Sequence, residues 1–145
     1  MIKTRVLFLC TGNSARSQMA EALLRLIAGN YFEAASAGTH PVGVNPMTIE
    51  VMKELGVDMT HHRSKHVQEF AGQAFDYVVT VCDRAKETCP IFPTASHVLH
   101  WSIDDPAAAP EAQRRQVFRQ IRDEISGRIR HLIQAETFSS RHAEL

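Results

Sequence analysis

The stretch Val6-Leu7-Phe8-Leu9-Cys10-Thr11-Gly12-Asn13-Ser14-Ala15-Arg16-Ser17 decides how the rest of the chain is read. Residues 2–10 form an apolar run of strand length with no polar alternation, as expected of a strand covered on both faces in a parallel sheet. A Gly-containing turn follows. In residues 15–28 the apolar side chains Met19, Ala22, Leu23, Leu26 and Ile27 recur at helical spacing, and Gly29-Asn30 offers a stop. Strand, loop and helix in this order put the loop at a helix N-terminus, where free N–H groups and the positive dipole end favour an anion. Gly12 and Asn13 tolerate positive φ, which successive amides need in order to converge on one point. Thr11, Gly12, Asn13, Ser14, Ala15, Arg16 and Ser17 are therefore the expected oxyanion-binding residues, with Arg16 adding a fork to two oxygens. Cys10 stands at the mouth of this nest, so the same field should favour its thiolate, and Ser17 could donate a hydrogen bond to the sulfur.

Working outward, residues 31–37 read as a second strand. A Gly/Pro-rich link then leads to Asn45 as a cap, Pro46 at a first helical position, and a second helix with Ile49, Val51, Met52 and Leu55. Residues 75–82 and 96–101 read as third and fourth strands. From Pro110 to about Phe138, Val117, Phe118, Ile121, Ile125, Ile129, Leu132 and Ile133 make one stripe, predicting a long closing helix. Residues 139–145 continue no such pattern and are expected to fray, leaving one domain over residues 1–138. Alternating strands and helices predict an α/β fold with a parallel sheet, whose chemistry gathers at strand C-termini. Cys10, Cys82 and Asp104-Asp105 all fall on that edge.

Composition narrows the function classes. The 145 residues carry 16 Lys+Arg against 16 Asp+Glu, a formal net charge of +0 that gives no general attraction for nucleic acid or anionic lipid. No apolar run approaches the ~20 residues of a bilayer span, and the apolar start is too short for a signal peptide, so a cytoplasmic protein is expected. An odd cysteine count, 3, does not suggest a structural disulfide framework there.

Cys82 and Cys89 are seven residues apart. If the intervening segment were helical, its rise of 1.5 Å per residue would hold their Cα atoms about 10 Å apart, beyond the ~7 Å limit for a disulfide. Joining them would require rearrangement, which suits the transfer of oxidation from a buried site to the surface; two unrelated small core residues are the alternative. Asp105 precedes Pro106, which holds it extended and able to project a carboxyl over the loop, with Asp104 as rival.

Residues 6–21 (VLFLCTGNSARSQMAE) resemble the loop shared by low-molecular-weight protein tyrosine phosphatases and the arsenate reductases built on the same fold. The resemblance to the thioredoxin-coupled arsenate reductases runs through the final helix. It includes Ser36-Ala37-Gly38, Gly43-Val44-Asn45-Pro46, the Cys82/Cys89 pair followed by Pro90, and His100-Trp101 with Asp104-Asp105-Pro106. It implies a three-layer sandwich around a four-stranded parallel sheet of order 2-1-3-4. It also implies that Cys10 attacks arsenate, that Cys82 attacks the Cys10–arsenic adduct and releases arsenite, and that Cys89 then leaves a Cys82–Cys89 disulfide for thioredoxin. Asp105 would be the general acid. Phosphate and sulfate should compete as oxyanions. Arsenic(V) reduction takes two electrons, which two thiols supply as one disulfide, whereas a phosphatase needs only the first cysteine. A phosphatase acting through a cysteinyl-phosphate is the alternative function; Ala107-Ala108-Ala109 after Pro106 lack the aromatic walls an aryl substrate wants, so only weak phosphatase activity is expected. A monomer is expected.

Some relatives bind potassium through positions matching Asn13, Glu21, Ser36 and an aspartate. Lys65 stands at the last of these, so no potassium site is expected and the ammonium should sit beside Glu21 or Asn13. No metal ligand set is assigned: His61, His62 and His66 read as a polar surface loop, and the arginines at 114, 115, 119, 122, 128 and 130 read as a solvated helix face.

Overall fold

The computed structural model describes residues 2–83, 92 and 95–143. Strand β1 (Thr4–Cys10) leads into helix α1 (Arg16–Ala28), then strand β2 (Phe32–Gly38) and helix α2 (Pro46–Lys53). Strands β3 (Phe75–Val81) and β4 (Ala95–Trp101) precede the long helix α3 (Arg114–Ala143). The four strands form one sheet of order β2-β1-β3-β4, parallel at every pairing. This is the predicted topology, and it places all four strand C-termini on one edge.

β1 lies in the middle and is buried along its last five residues, which is why its sequence has no polar alternation. Val6 and Phe8 face a core shared with α1, α2 and α3, including Met19, Leu23, Met52, Phe118, Ile125 and Ile129. Leu7 and Leu9 face a smaller core with Ala37, Phe75, Val78 and Phe92, against which Val67 and Phe70 of a short 3-10 turn pack. Each fully buried Leu or Phe contributes on the order of 2 kcal/mol, so the side carrying the helices dominates the stability.

The Asn45 side chain caps α2 by accepting from Met47 N at 2.9 Å, and Pro46 occupies the first turn, as the sequence indicates. The closing helix begins four residues later than Pro110 because residues 111–113 form a 3-10 turn instead. It also continues past Phe138 to Ala143, through the segment expected to fray; no Gly or Pro in residues 139–143 stops it. Arg122 corrects the reading of α3 as a uniformly solvated face. It is 9% exposed and donates to the Val51 carbonyl at 2.8 Å and to Glu54 at 2.8 Å, tying α3 to the end of α2. Among the described residues, no helix is long and apolar enough to cross a membrane.

Candidate active site

The loop between β1 and α1 is shaped from outside. The Thr11 carbonyl accepts from His40 N (2.9 Å) and the Gly12 carbonyl from Val42 N (3.1 Å). The Asn13 carbonyl accepts from Ser64 Oγ (2.6 Å) and Gln18 Nε2 (3.3 Å). The Ser14 carbonyl accepts from Asn45 N (3.1 Å) and Thr48 Oγ1 (3.0 Å). In a trans peptide the carbonyl and the following N–H point opposite ways, so drawing these carbonyls outward turns the amides of residues 12–15 inward. The Asn13 amide shows the result, donating to Cys10 Sγ at 3.2 Å. Such a ring of amides at a helix N-terminus is an anion site.

Asn13 takes φ 48, the left-handed conformation expected of it. Gly12 has no positive φ, contrary to expectation; its missing side chain gives room instead, since a Cβ there would stand 3.1 Å from Val42 Cγ2. Gly38, opposite Cys10 in the β1–β2 register, is the more demanding glycine. A Cβ at this position would collide with the Thr11 carbonyl oxygen and come within 3.0 Å of both Asn13 N and the Cys10 carbonyl.

A directed hydrogen-bond chain reaches the sulfur. The Glu21 carboxylate only accepts, so Ser36 Oγ, 2.9 Å from Glu21 Oε1, is its donor. Ser36 therefore accepts from Asn13 Nδ2 (3.0 Å), whose other hydrogen goes to Ser17 Oγ (2.9 Å). The Ser17 hydroxyl accepts from Asn13 and lies 2.7 Å from Cys10 Sγ, to which it is the donor when the sulfur is a thiolate. Asn13, Ser17 and Ser36 are all 0% exposed, so this chain works where water does not compete.

A cavity of about 410 Å³ opens over Cys10, with Asn45, Val42, Asp105 and Ala107 among its walls. Asp105 lines it and Asp104 does not, which separates the two candidate acids. Asp105 is extended (φ −73, ψ 112), as a residue before proline must be, and its Oδ1 accepts from Ala107 N at 3.0 Å. Arg16 is 5% exposed and donates from Nη1 to the Ile103 carbonyl at 2.9 Å, linking the guanidinium to the segment that carries the acid. Trp101 is buried and packs against Phe8, ring centroids 5.8 Å apart.

Cys82, 0% exposed, follows the last residue of β3, the strand paired with β1, so it shares the sheet edge with Cys10. Cys89, and with it the expected Cys82–Cys89 relay, lies outside the described residues.

The histidine loop is not simply a surface. The His62 side chain is 7% exposed; its Nδ1 lies 3.1 Å from Gln18 Oε1 and 3.5 Å from Glu21 Oε2. Burial pushes its pKa below the ordinary value, with Glu21 pulling the other way. His66 accepts from Gln68 N at 3.0 Å as a cap, and among the described residues no group of three metal-ligating side chains forms. Lys65 lies where the sequence puts it: its Nζ is 3.6 Å from Glu21 Oε1 and its amide donates to Asn13 Oδ1 at 2.9 Å. The Lys65 ammonium thus lies beside Glu21, as expected, while Asn13 Nδ2 donates to Ser36 Oγ at 3.0 Å. Gln18 and Ser64, which grip Asn13, were missed; the available signal was a glutamine inside an apolar helix start, since buried amides need partners.

Comparison with known proteins agrees with this geometry. The family described as low molecular weight phosphotyrosine protein phosphatase matches residues 5–141. An arsenate reductase of Halalkalibacterium halodurans is 42% identical over 132 residues, 90% of this chain and 95% of that protein. The solved structure of an arsenate reductase in the phosphate binding state is similar with a TM-score of 0.79 at 29% identity, covering 91% of this chain and 98% of that one. A Corynebacterium glutamicum thioredoxin-dependent arsenate reductase is similar at 33% identity and a TM-score of 0.73, over 94% of this chain and 63% of that one. The Asn13 amide turned onto a cysteine at a strand end, and a family match over residues 5–141, lead to one conclusion: the chain belongs to the low molecular weight phosphotyrosine protein phosphatase family.

Proposed function

We propose that the protein is a cytoplasmic arsenate reductase, with Cys10 as nucleophile and Cys82 and Cys89 as a relay regenerated by thioredoxin. The observation that carries this reading is the burial of Cys82 at the β3 end, beside the strand that delivers Cys10 to the cradle. A hydrolytic phosphatase has no use for a second redox-active cysteine there. The 42% identity to an arsenate reductase over 90% of the chain supports the substrate, and likeness to a thioredoxin-dependent arsenate reductase supports the reductant.

Arsenate enters the cradle of residues 11–17 and shares oxygens between the inward amides and the Arg16 fork. The Cys10 thiolate attacks arsenic and displaces one oxygen, which Asp105 protonates so that it leaves as water. The Cys82 thiolate then attacks the Cys10 sulfur. The S–As bond breaks with its electron pair on arsenic, which leaves as arsenite, and a Cys10–Cys82 disulfide remains. Attack of Cys89 on Cys82 frees Cys10, and two electrons from thioredoxin reduce the Cys82–Cys89 disulfide. Phosphate or sulfate fits the same cradle as a competitor. Phosphate esters should be hydrolysed weakly, because among the described residues the cavity walls offer Val42 and Ala107 but no aromatic ring.

Arsenate-dependent NADPH oxidation with thioredoxin and thioredoxin reductase tests the proposal. Cys10→Ser should abolish every activity, whereas Cys82→Ser and Cys89→Ser should stop multiple turnover and spare phosphate-ester hydrolysis. Normal cycling of Cys89→Ser would remove the relay, and ester hydrolysis without arsenate reduction would make the protein a phosphatase.

A further inference from the structure

Asn45 carries more than its helix cap requires. Its backbone N–H holds the Ser14 carbonyl at 3.1 Å, and its side-chain Oδ1 accepts from Met47 N at 2.9 Å. The first bond holds the backbone and the second orients the side-chain amide, and the residue lines the cavity over Cys10 together with Asp105. The amide nitrogen Nδ2 has no hydrogen-bond partner among the described residues and is not sealed from solvent. The N–H₂ group of this half-buried residue on the cavity wall keeps its donors for water or for a ligand that enters the cavity.

A tetrahedral oxyanion seated on the loop directs some oxygens at the amides and at Arg16, and the remaining one toward the mouth, where it must find a donor or stay in water. We propose that Asn45 is a further substrate-binding residue, whose Nδ2 donates to the outward oxygen of the bound oxyanion. That oxygen is also the one within reach of a general acid on the same cavity wall, so the amide would hold it while Asp105 delivers its proton. Asn45 thereby extends the binding set beyond residues 11–17, from a different element and with a neutral donor that suits a free tetrahedral oxyanion. The inference rests on the proposed cradle for oxyanions, but not on the thiol relay.

Asn45→Ser separates the two roles, because serine caps a helix about as well as asparagine but cannot reach into the cavity. The probe is inorganic phosphate, read by protection of Cys10 from iodoacetamide. The dissociation constant should rise about tenfold in Asn45→Ser, the effect of one lost hydrogen bond to a charged group, with the melting temperature unchanged. KM for arsenate should rise in parallel. Asn45→Gly, a fair cap with no side chain, should match Asn45→Ser and guards against a misfolded variant. Equal protection of wild type and both variants would overturn the inference and leave the cradle standing. Failure of phosphate to protect wild type would overturn the oxyanion reading itself.

Discussion

Ser17 Oγ stands 2.7 Å from Cys10 Sγ and accepts from the Asn13 amide that also donates to Ser36. Asn13 Nδ2 donates to both serines, so neither hydroxyl proton is spent on Asn13, and toward a Cys10 thiolate, which carries no proton, the Ser17 hydroxyl is the donor. A donor to a thiolate stabilises the attacking form, and a hydrogen bond to a charged group is worth ~1.5–3 kcal/mol. Ser17→Ala should therefore slow iodoacetamide alkylation of Cys10 at neutral pH, and arsenate kcat/KM, by about tenfold or more. An unchanged alkylation rate would mean that the amides alone hold the sulfur.

Gly38 has the least freedom to change. Any side chain at this position meets the Thr11 carbonyl, and 3.0 Å from its Cβ stand Asn13 N and the Cys10 carbonyl, all backbone and unable to swing aside. Gly38→Ala should lose oxyanion binding and cost about 1–3 kcal/mol of stability, the range for overpacking. Urea unfolding and phosphate protection of Cys10 measure the two effects; retention of both would mean that the loop can move away from β2.

Asp105 is a turn residue and the proposed general acid, and the two roles can be parted. Its Oδ1 accepts from Ala107 N at 3.0 Å, a bond asparagine reproduces. Asp105→Asn should keep the melting temperature, yet lower kcat for arsenate by about a hundredfold, since general-acid catalysis contributes ~10²–10⁴. A variant with wild-type kcat would move the acid elsewhere, with Asp104 excluded as a wall of the cavity.

The sheet and the loop were legible because their signals are local and redundant. Val6 to Leu9 show a fully covered strand, Asn45-Pro46 a capped helix start, and the cysteine-to-arginine spacing a cradle between them. What stayed hidden depends on distant segments. Ser64 is 51 residues from the Asn13 carbonyl it grips, and no pattern near position 64 announces a contact with the loop. His62 looked like one of three surface histidines because burial of a polar side chain is decided by the helix that covers it, in this case by Gln18 and Glu21. Gly12 does not take the positive φ its residue type allows, and the tight neighbour a Cβ would meet there, Val42 at 3.1 Å, lies 30 residues away in the chain.

His62 gives the stability a pH dependence whose sign follows from its surroundings. Burial lowers its pKa below the ordinary 6.5, opposed by Glu21 and reinforced by Arg25, His61 and Lys65. The unfolded chain then binds the proton more readily than the folded one, so the contribution of His62 is complete above about pH 6.5 and is lost as the pH falls through that value toward the folded pKa. His62→Gln, which can still hydrogen-bond to Gln18, should flatten the fall in unfolding free energy as the pH drops below about 6.5. Urea titrations at several pH values check this; equal slopes for variant and wild type would assign the dependence to another group.

Lys65 completes the charge balance around Glu21, which is 5% exposed and has Arg25 at 3.4 Å and His62 at 3.5 Å besides the Lys65 ammonium at 3.6 Å. A carboxylate so buried needs cationic company, and removing one of several partners costs less than the ~3–5 kcal/mol of an unpaired buried charge. Lys65→Met should therefore lower stability by about 1–2 kcal/mol. With its own ammonium present, wild type should show the same melting temperature in potassium as in sodium. Lys65→Asp sets a second carboxylate beside Glu21 and so creates a demand for an external cation, and its melting temperature should rise with potassium more than with sodium. A potassium-specific rise in wild type would show that the ammonium does not fill that place, and a Lys65→Asp variant indifferent to both salts would show that Arg25 and His62 already satisfy Glu21.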